Sequence, residues 1–312
     1  MITVENLGKQ YGTAMVVDGV SMAMERNSIT VIVGTSGSGK STLLRMINRL
    51  VEPTSGRVLI DGSDTAMEPA HLLRRRIGYV IQGHGLFPHR TVAENVATVP
   101  RLLHWDESRT HTRVNELLEA FQLDPGTYAE KYPHQLSGGE QQRVGVARAL
   151  AAKPAVLLMD EPFGALDPII RAKAQDDLLD IQRRFGTTIV LVTHDMDEAF
   201  RLGDRIAVMS HGRVLQYDRP AVLLTRPGDP FVARMTGSAD RSLKLLSLLT
   251  AGDAAVPGGA DGPTVAASAS LRDVLSELMW RGADSATVVD ADGRPRGHVT
   301  ITAILAQGRS GR

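Results

Sequence analysis

Residues 29–41 of the chain read ITVIVGTSGSGKS. The first five residues are apolar or β-branched, as in a buried strand, and the glycines, serines and lysine that follow match the pattern of a phosphate-binding loop. A helical pattern begins at Ser41 and runs to Leu50. Because strand, loop and helix follow one another in the required order, we prefer a phosphate site to a chance turn rich in glycine and serine.

The residues of this loop have separate expected roles. Glycines let the backbone turn its amides toward a phosphate at the helix N-terminus, where the helix dipole favours an anion. Lys40 is expected to reach the β- and γ-phosphates of a nucleotide, the Ser41 hydroxyl to ligate Mg²⁺, and Thr42 to support the α-phosphate. The predicted phosphate-binding residues are Gly34, Thr35, Ser36, Gly37, Ser38, Gly39, Lys40, Ser41 and Thr42.

Strand patterns recur around this loop. Besides residues 29–33, short β-branched runs occupy residues 77–81, 156–159, 189–193 and 206–209, and helical patterns alternate with them. This alternation predicts an α/β fold with a mostly parallel core sheet. A mainly helical insertion, placed at about residues 88–152, lies between the second and third of these strands.

Polar residues stand where these strands end. Asp160 and Glu161 close an apolar strand, so we expect Asp160 to hold Mg²⁺ through water and Glu161 to take the proton of an attacking water. The alternative is that the pair simply opens a loop. His194 could reach a γ-phosphate or be a structural hydrogen-bonding residue. Gln82 could ligate Mg²⁺ and contact the attacking water, an assignment that depends on the other residues of the site.

A second candidate anion site lies on another helix. Ser137 and Glu140 form a capping box, so the Ser137 hydroxyl and the amides of Gly138 and Gly139 are expected at a positive helix end. An ordinary serine-capped helix is the simpler interpretation. The run Leu136-Ser137-Gly138-Gly139-Glu140, however, resembles the signature motif of ABC ATPases, with Glu140 replacing the more usual glutamine.

The resemblance covers residues 1–237 and implies the rest of the site. In this family, a P-loop ABC ATPase fold with a helical subdomain binds ATP and Mg²⁺, and the signature motif closes on the γ-phosphate held by a second copy, so a homodimer is implied. Tyr11 resembles the aromatic residue that stacks on adenine, although an isolated tyrosine could equally be a packing residue. Ala165-Leu166-Asp167 resembles the loop that couples the two sites, while Asp167 and Pro168 also fit an ordinary helix start.

The stretch from residue 77 to residue 96 contains Gly85-Leu86-Phe87-Pro88-His89 and strongly resembles the ATPases of glycine betaine, choline and related quaternary-amine importers. We expect Leu86, Phe87 and Pro88 to form an exposed apolar knob for the permease, although they could instead belong to the core. A substrate-binding protein would take part only indirectly. The remaining alternatives are an importer of another solute such as an amino acid, a non-transport ABC ATPase, and a regulatory module without turnover.

The C-terminal part has a different pattern. Residues 238–263 are predicted to form a connecting helix and a linker, of which residues 251–262 are the linker, and residues 264–308 resemble a single CBS motif. The motif is predicted from a helix starting at Ser270, strands at residues 286–290 and 297–300, and a turn at residues 292–293. We expect this small β/α domain to pair with its copy in the dimer, with regulation and simple bracing of the dimer left as alternatives.

Composition bounds the class of protein. A length of 312 residues favours two domains. The chain carries 35 basic and 35 acidic residues, so no net charge draws it to nucleic acid, which we do not expect as a partner. It has no cysteine, which fits a reducing compartment, and no apolar stretch long enough to span a bilayer. We therefore expect a peripheral protein on the cytoplasmic face of the membrane.

Overall fold

The computed structural model describes residues 1–83, 85–164, 166–237 and 240–309. The chain divides by its internal contacts into two compact units, Met1–Tyr217 and Asp218–Arg312. His84, Ala165 and Ala239, which belong to motifs singled out above, lie outside the described residues.

The first unit alternates strands and helices as predicted. Its elements are β1 Ile2–Tyr11, β2 Ala14–Met24, β3 Ile29–Gly34, α1 Lys40–Ile47, β4 Ser55–Ile60, β5 Ser63–Asp64, α2 Ala70–Arg76, β6 Ile77–Val80, α3 Val92–Val96, α4 Thr98–Leu102, α5 Glu107–Ala120, α6 Pro125–Tyr128, α7 Gly138–Leu150, β7 Val156–Asp160, α8 Pro168–Phe185, β8 Thr188–Thr193, α9 Met196–Leu202, β9 Arg205–Ser210 and β10 Arg213–Asp218. The last strand ends at the boundary between the units.

The core sheet of this unit has the strand order β10-β9-β3-β8-β7-β6. Strand β3 pairs in parallel with β8 and β9, and β7 pairs in parallel with β6 and β8. Every residue of β3, β7 and β8 is buried, which explains their uninterrupted apolar sequences. Because parallel strands carry their carboxyl ends at one edge, the residues that follow β3, β6, β7 and β8 converge there.

A second sheet covers α1 from the other side. Its strand order is β2-β1-β4-β5, and β1 pairs antiparallel with both β2 and β4. One hydrophobic cluster contains Leu7 of this sheet, Ile32 of the core sheet, and Leu43 and Leu44 of α1. Burial of α1 between the two sheets therefore holds the start of this helix against the end of β3.

Within the described residues, the insertion between β6 and β7 consists of helices α3 to α7, in the stretch where the sequence predicts a helical subdomain. Helix α5 buries Val114, Leu117 and Leu118, whose spacing places them on one face of the helix. It ends at Ala120, and Asp124 then caps α6 by accepting a hydrogen bond from the Thr127 backbone N–H at 2.9 Å. No helix among the described residues is both long and apolar enough to cross a membrane.

The second unit contains α10 Pro220–Thr225, α11 Pro230–Met235, α12 Arg241–Leu248, α13 Ala251–Ala254, β11 Thr264–Ala266, α14 Leu271–Arg281, β12 Ser285–Val289, β13 Pro295–Thr300 and α15 Ile301–Gln307. Its sheet has the order β11-β12-β13, with β11 parallel and β13 antiparallel to β12. The helix after Ser270 and the two predicted strands are present.

Two features of this unit differ from the sequence-based expectation. The division at Tyr217 comes before residue 237, because α10 contacts α11 and α12 and so belongs to the second unit. Residues 251–262 do not form an extended linker throughout. The backbone N–H of Ala251 donates to the Ala269 carbonyl at 2.8 Å, and Val256 pairs with His298 of β13. The small side chains of the alanines and glycines in this stretch allow close backbone packing, whereas the composition predicts a flexible linker.

Candidate functional site

The loop between β3 and α1 has the geometry that phosphate binding requires. Gly37 and Gly39 have φ angles of 78° and 97°, in the region that favours glycine. A side-chain carbon at Gly39 would overlap the carbonyl oxygen of Val16, so a larger residue does not fit there. Thr35, Ser36 and Gly37 are exposed at the top of the loop, whereas the buried Ser38 Oγ has no hydrogen-bond partner. The loop therefore presents an open cradle with an unsatisfied polar atom.

Lys40 lies in this cradle and is 5% exposed. Its Nζ donates to the carbonyl oxygens of Gly34 and Thr35, both at 2.9 Å. Burial lowers the pKa of Lys40, although the carboxylates of Glu161 and Asp160 oppose this effect. The ammonium group of Lys40 is thus held inside the loop by two neutral carbonyl oxygens. Negatively charged phosphate oxygens can replace these acceptors.

Ser41 and Asp160 form the metal side of the site. The Ser41 Oγ donates to Asp160 Oδ1 at 2.7 Å, and the Asp160 side chain is 2% exposed. Arg45 lies on the other side of this carboxylate, with Nη2 at 3.3 Å from Oδ2. A hydroxyl and a buried carboxylate beside a phosphate loop are oxygen donors of the kind that Mg²⁺ takes together with phosphate and water. These residues therefore fit a magnesium ion.

Gln82, Glu161 and His194 come together on the adjacent side. Glu161 Oε2 accepts a hydrogen bond from Gln82 Nε2 at 3.4 Å and lies 3.5 Å from His194 Nδ1. The backbone of Glu161 has a φ of 47°, a conformation that is strained for a non-glycine residue and frequent at functional sites. Its N–H donates to the Val192 carbonyl at 3.0 Å, which anchors the strained residue to β8. A cavity of about 230 Å³ opens beside these three side chains.

The Ser137 to Glu140 group lies at the start of α7. The Ser137 N–H donates to Glu140 Oε2 at 2.7 Å and the Glu140 N–H donates to Ser137 Oγ at 3.4 Å, which confirms the capping box. Burial raises the pKa of Glu140, but hydrogen bonds from Tyr128 and Ser137 outweigh this and leave it lowered. Ser137 and Gly138 are exposed, whereas Gly139 is buried close to Ile170. Among the hydrogen bonds and ion pairs of the described residues, none joins this group to the phosphate loop.

Two further predicted positions lie at the margins. Tyr11 ends β1 with 48% of its surface exposed, and Lys9 Nζ lies 4.9 Å from its ring centroid. Thr42 is partly buried in the first turn of α1. Asp167 caps α8 by accepting hydrogen bonds from the N–H groups of Ile169 and Ile170, both at 3.1 Å.

The structure adds residues that the sequence did not single out. Gln142, 5% exposed, lines the cavity beside Glu161 and donates from Nε2 to the Pro162 carbonyl, while its Oε1 has no partner. Arg45 contacts Asp160, as described above. A signal for Gln142 was available, because it shares the buried face of α7 with Gly139 and Val146 at helical spacing.

Comparison with known proteins identifies the family. Residues 17–164 match the model of the ABC transporter family. The chain is 46% identical over 308 residues to the glycine betaine uptake system ATP-binding protein YehX of Escherichia coli K12, covering 98% of this chain and all of that protein. It is also 46% identical to the osmoprotectant import ATP-binding protein OsmV of Salmonella typhimurium LT2, over 96% of this chain and 79% of the relative.

Solved structures agree with this assignment. The ATP-binding cassette MJ0796, in a dimeric post-hydrolysis state bound to ADP and Pi, matches with a TM-score of 0.64 and 34% identity, covering 70% of this chain and 99% of that one. The phosphate loop, the acidic pair and helix α7 lie within residues 17–164, the part of the chain that the family model matches. The chain therefore belongs to the ATP-binding subunits of ABC transporters, which bind ATP and hydrolyse it to drive transport.

Proposed function

We propose that this chain energises an importer of glycine betaine or related quaternary-amine osmoprotectants. The observation that carries the proposal is the identity of 46% to YehX along the whole of that protein, because it covers both units of the chain. Relatives that transport choline and carnitine are 47% and 40% identical, which supports quaternary amines as the substrate class. The solute itself would bind to a separate substrate-binding protein and permease rather than to this chain.

The proposed chemistry assigns one task to each group of the site. Lys40 exchanges the carbonyl oxygens of Gly34 and Thr35 for the β- and γ-phosphates of ATP. Ser41, Asp160 and Gln82 would hold a magnesium ion, which when bound would supply positive charge that neutralises the phosphates.

Glu161 accepts the proton of the attacking water, since its carboxylate faces the cavity and its backbone is fixed to β8. His194 donates to a γ-phosphate oxygen from the same edge. Tyr11, exposed at the end of β1, supplies a ring face for adenine.

The second half of each site comes from a second copy in this proposal. The exposed Ser137 and Gly138 stand at the N-terminus of the 13-residue helix α7, where amides and the helix dipole attract a phosphate. The dimeric state of MJ0796 supports this arrangement.

The permease is proposed to dock beside Phe87. This side chain is 38% exposed and packs between Arg90 and Arg148, whose guanidinium carbons lie 4.8 and 5.7 Å from its ring centroid. A groove of about 610 Å³ runs from it past Arg101 and Leu102. Such an apolar centre with a polar rim suits a permease segment at the cytoplasmic face of the membrane.

The C-terminal unit is proposed to contain a single CBS-like motif that pairs with its copy. The arrangement of β11, α14, β12, β13 and α15 around one hydrophobic cluster supports this proposal. Met279 and Trp280, at the end of α14, are 70% and 89% exposed and would be covered by such pairing. Bracing of the dimer and regulation of transport are both compatible with this arrangement.

The proposal is tested by uptake of labelled glycine betaine in cells whose own copy is replaced by this chain. Wild type should restore uptake, most strongly at high osmolarity, and the isosteric variant Glu161→Gln should not. Uptake restored equally by wild type and Glu161→Gln would refute the catalytic assignment, and no uptake of glycine betaine with wild type would refute the substrate. Restored uptake of an amino acid in place of betaine would instead favour the alternative solute, with the ATPase assignment intact.

A further inference from the structure

Glu198 is connected by hydrogen bonds to both residues that flank His194. Thr193 Oγ1 donates to Glu198 Oε2 at 3.0 Å and accepts a hydrogen bond from the Asp195 N–H, also at 3.0 Å. The Glu198 N–H in turn donates to Asp195 Oδ1 at 3.1 Å. Both neighbours of His194 are therefore tied to one glutamate, which is itself only 7% exposed.

Arg171 of α8, whose charge acts on Glu198, contacts both the loop before α8 and Asp195. Arg171 Nη2 donates to the Leu166 carbonyl at 3.1 Å, and Arg171 Nη1 lies 3.8 Å from Asp195 Oδ2. The buried Arg171 Nε and the buried Glu198 Oε1 both lack hydrogen-bond partners. A buried donor or acceptor without a partner costs free energy. A hydrogen bond between this donor and this acceptor would remove both costs, because the two groups carry opposite charges.

The charges around Glu198 make its state dependent on pH. Burial raises the pKa of Glu198 to about 7, and the carboxylates of Asp195 and Glu161 act in the same direction. The hydrogen bond from Thr193 and the charge of Arg171 act in the opposite direction. Near neutral pH the group therefore exchanges between a neutral acid and a carboxylate that can accept from Arg171.

We propose that Glu198 is a positioning residue for hydrolysis, acting through Thr193 and Asp195 on His194. In the active state its ionised Oε1 pairs with Arg171 Nε and links the His194 turn to residues 166–167. The inference rests on the proposed role of His194 in the hydrolytic site. The pair of Arg171 on α8 and Glu198 on α9 would then connect the γ-phosphate side of the site directly to the loop that precedes α8.

The test compares steady-state ATP hydrolysis by the purified full chain with that of Glu198→Gln. The variant keeps the shape and an acceptor for Thr193 but cannot ionise. We expect kcat to fall about tenfold at pH 8, with the KM for ATP unchanged, because one charged hydrogen bond is lost. Asp180→Asn, which removes a charge from a 77% exposed side chain on α8, is the matched control and should change neither constant.

The pH profile separates positioning from a merely structural role. The ratio of wild-type to Glu198→Gln kcat should rise from about two at pH 6 to about nine at pH 8, because about a tenth of Glu198 is ionised at pH 6 and about nine tenths at pH 8. The effects of other titrating groups cancel in this ratio. A ratio that does not change with pH would overturn the proposal. Arg171→Lys combined with Glu198→Gln should be no slower than the slower single variant, and additive losses would likewise contradict the pairing.

The remaining controls separate this inference from the proposed function. Tight ATP binding by Glu198→Gln shows that the variant is folded, so a lost kcat is then not a folding defect. Glu161→Gln, measured alongside, should abolish turnover. Retained turnover in Glu161→Gln would refute the proposed catalytic roles. Loss of turnover there, with unchanged kinetics in Glu198→Gln at every pH, would refute only the role of Glu198.

Discussion

The burial of Glu198 leads to a prediction about stability as well as activity. Its pKa in the folded chain is raised to about 7 from an ordinary value of 4.5, so the folded state binds this proton more tightly than the unfolded state. Stability from this group is therefore greatest at low pH, is lost progressively as the pH rises from about 4.5 to about 7, and is constant above that. Glu198→Gln removes this dependence because its amide does not titrate.

The size of the effect follows from the shift in pKa. A difference of about 2.5 units corresponds to about 3 kcal/mol when both states are fully ionised. Between pH 5.5 and pH 8 the part still to be lost is about 2 kcal/mol. The free energy of unfolding of wild type should thus fall by about 2 kcal/mol more than that of Glu198→Gln over this interval.

The assay is urea denaturation followed by tryptophan fluorescence. The chain has 2 tryptophans, and replacing the 89% exposed Trp280 by phenylalanine in both proteins leaves Trp105 as the reporter of the first unit. Trp105 is partly buried with the Arg109 guanidinium 3.7 Å from its ring centroid, so its emission should change on unfolding. Parallel pH dependences in the two proteins would refute the assignment of a near-neutral pKa to the buried carboxyl.

Three other perturbations test the site. Gly39→Ala should abolish ATP binding in a calorimetric titration because its Cβ would overlap the Val16 carbonyl, whereas Gly62→Ala, at a φ of 82° with open space around it, should retain binding. Tyr11→Ala should raise the Kd for ATP by about two- to tenfold while Tyr11→Phe leaves it unchanged, and equal effects would exclude stacking. Ser137→Ala should lose about 1 kcal/mol of stability with its helix cap, and by size exclusion with saturating Mg-ATP it should form fewer dimers than wild type. Undiminished dimerisation would argue against the shared site.

The sequence predicted best those structures that are formed by residues close together in the chain. The predicted strand of residues 29–33, the loop and the helix start all appear, as β3 Ile29–Gly34 and α1 Lys40–Ile47. Ser137 and Glu140 form the expected cap because three residues along a helix bring them together. The predicted end of the first domain and the predicted linker depended on packing, which composition does not specify.

Tertiary contacts supplied the rest of the candidate site. The helical spacing of α7 places Gln142 on its buried face, but the hydrogen bond from Gln142 to the Pro162 carbonyl joins α7 to the loop after β7 and is visible only in the folded chain. Glu198 looks like an ordinary acidic residue in the first turn of α9, where the helix dipole would favour it. Its burial under the His194 turn is visible only in the folded chain.

The amino-acid sequence by itself determined the α/β fold, the phosphate loop, the acidic pair and the signature cap, because strand and helix periodicity and loop chemistry are properties of contiguous residues. Only the tertiary structure decided which of these groups meet: Ser41 with Asp160, Gln82 and His194 with Glu161, and Arg171 near Glu198. These residues come from separate strands and helices, and their distances follow from parallel strand pairing and buried packing across the whole first unit.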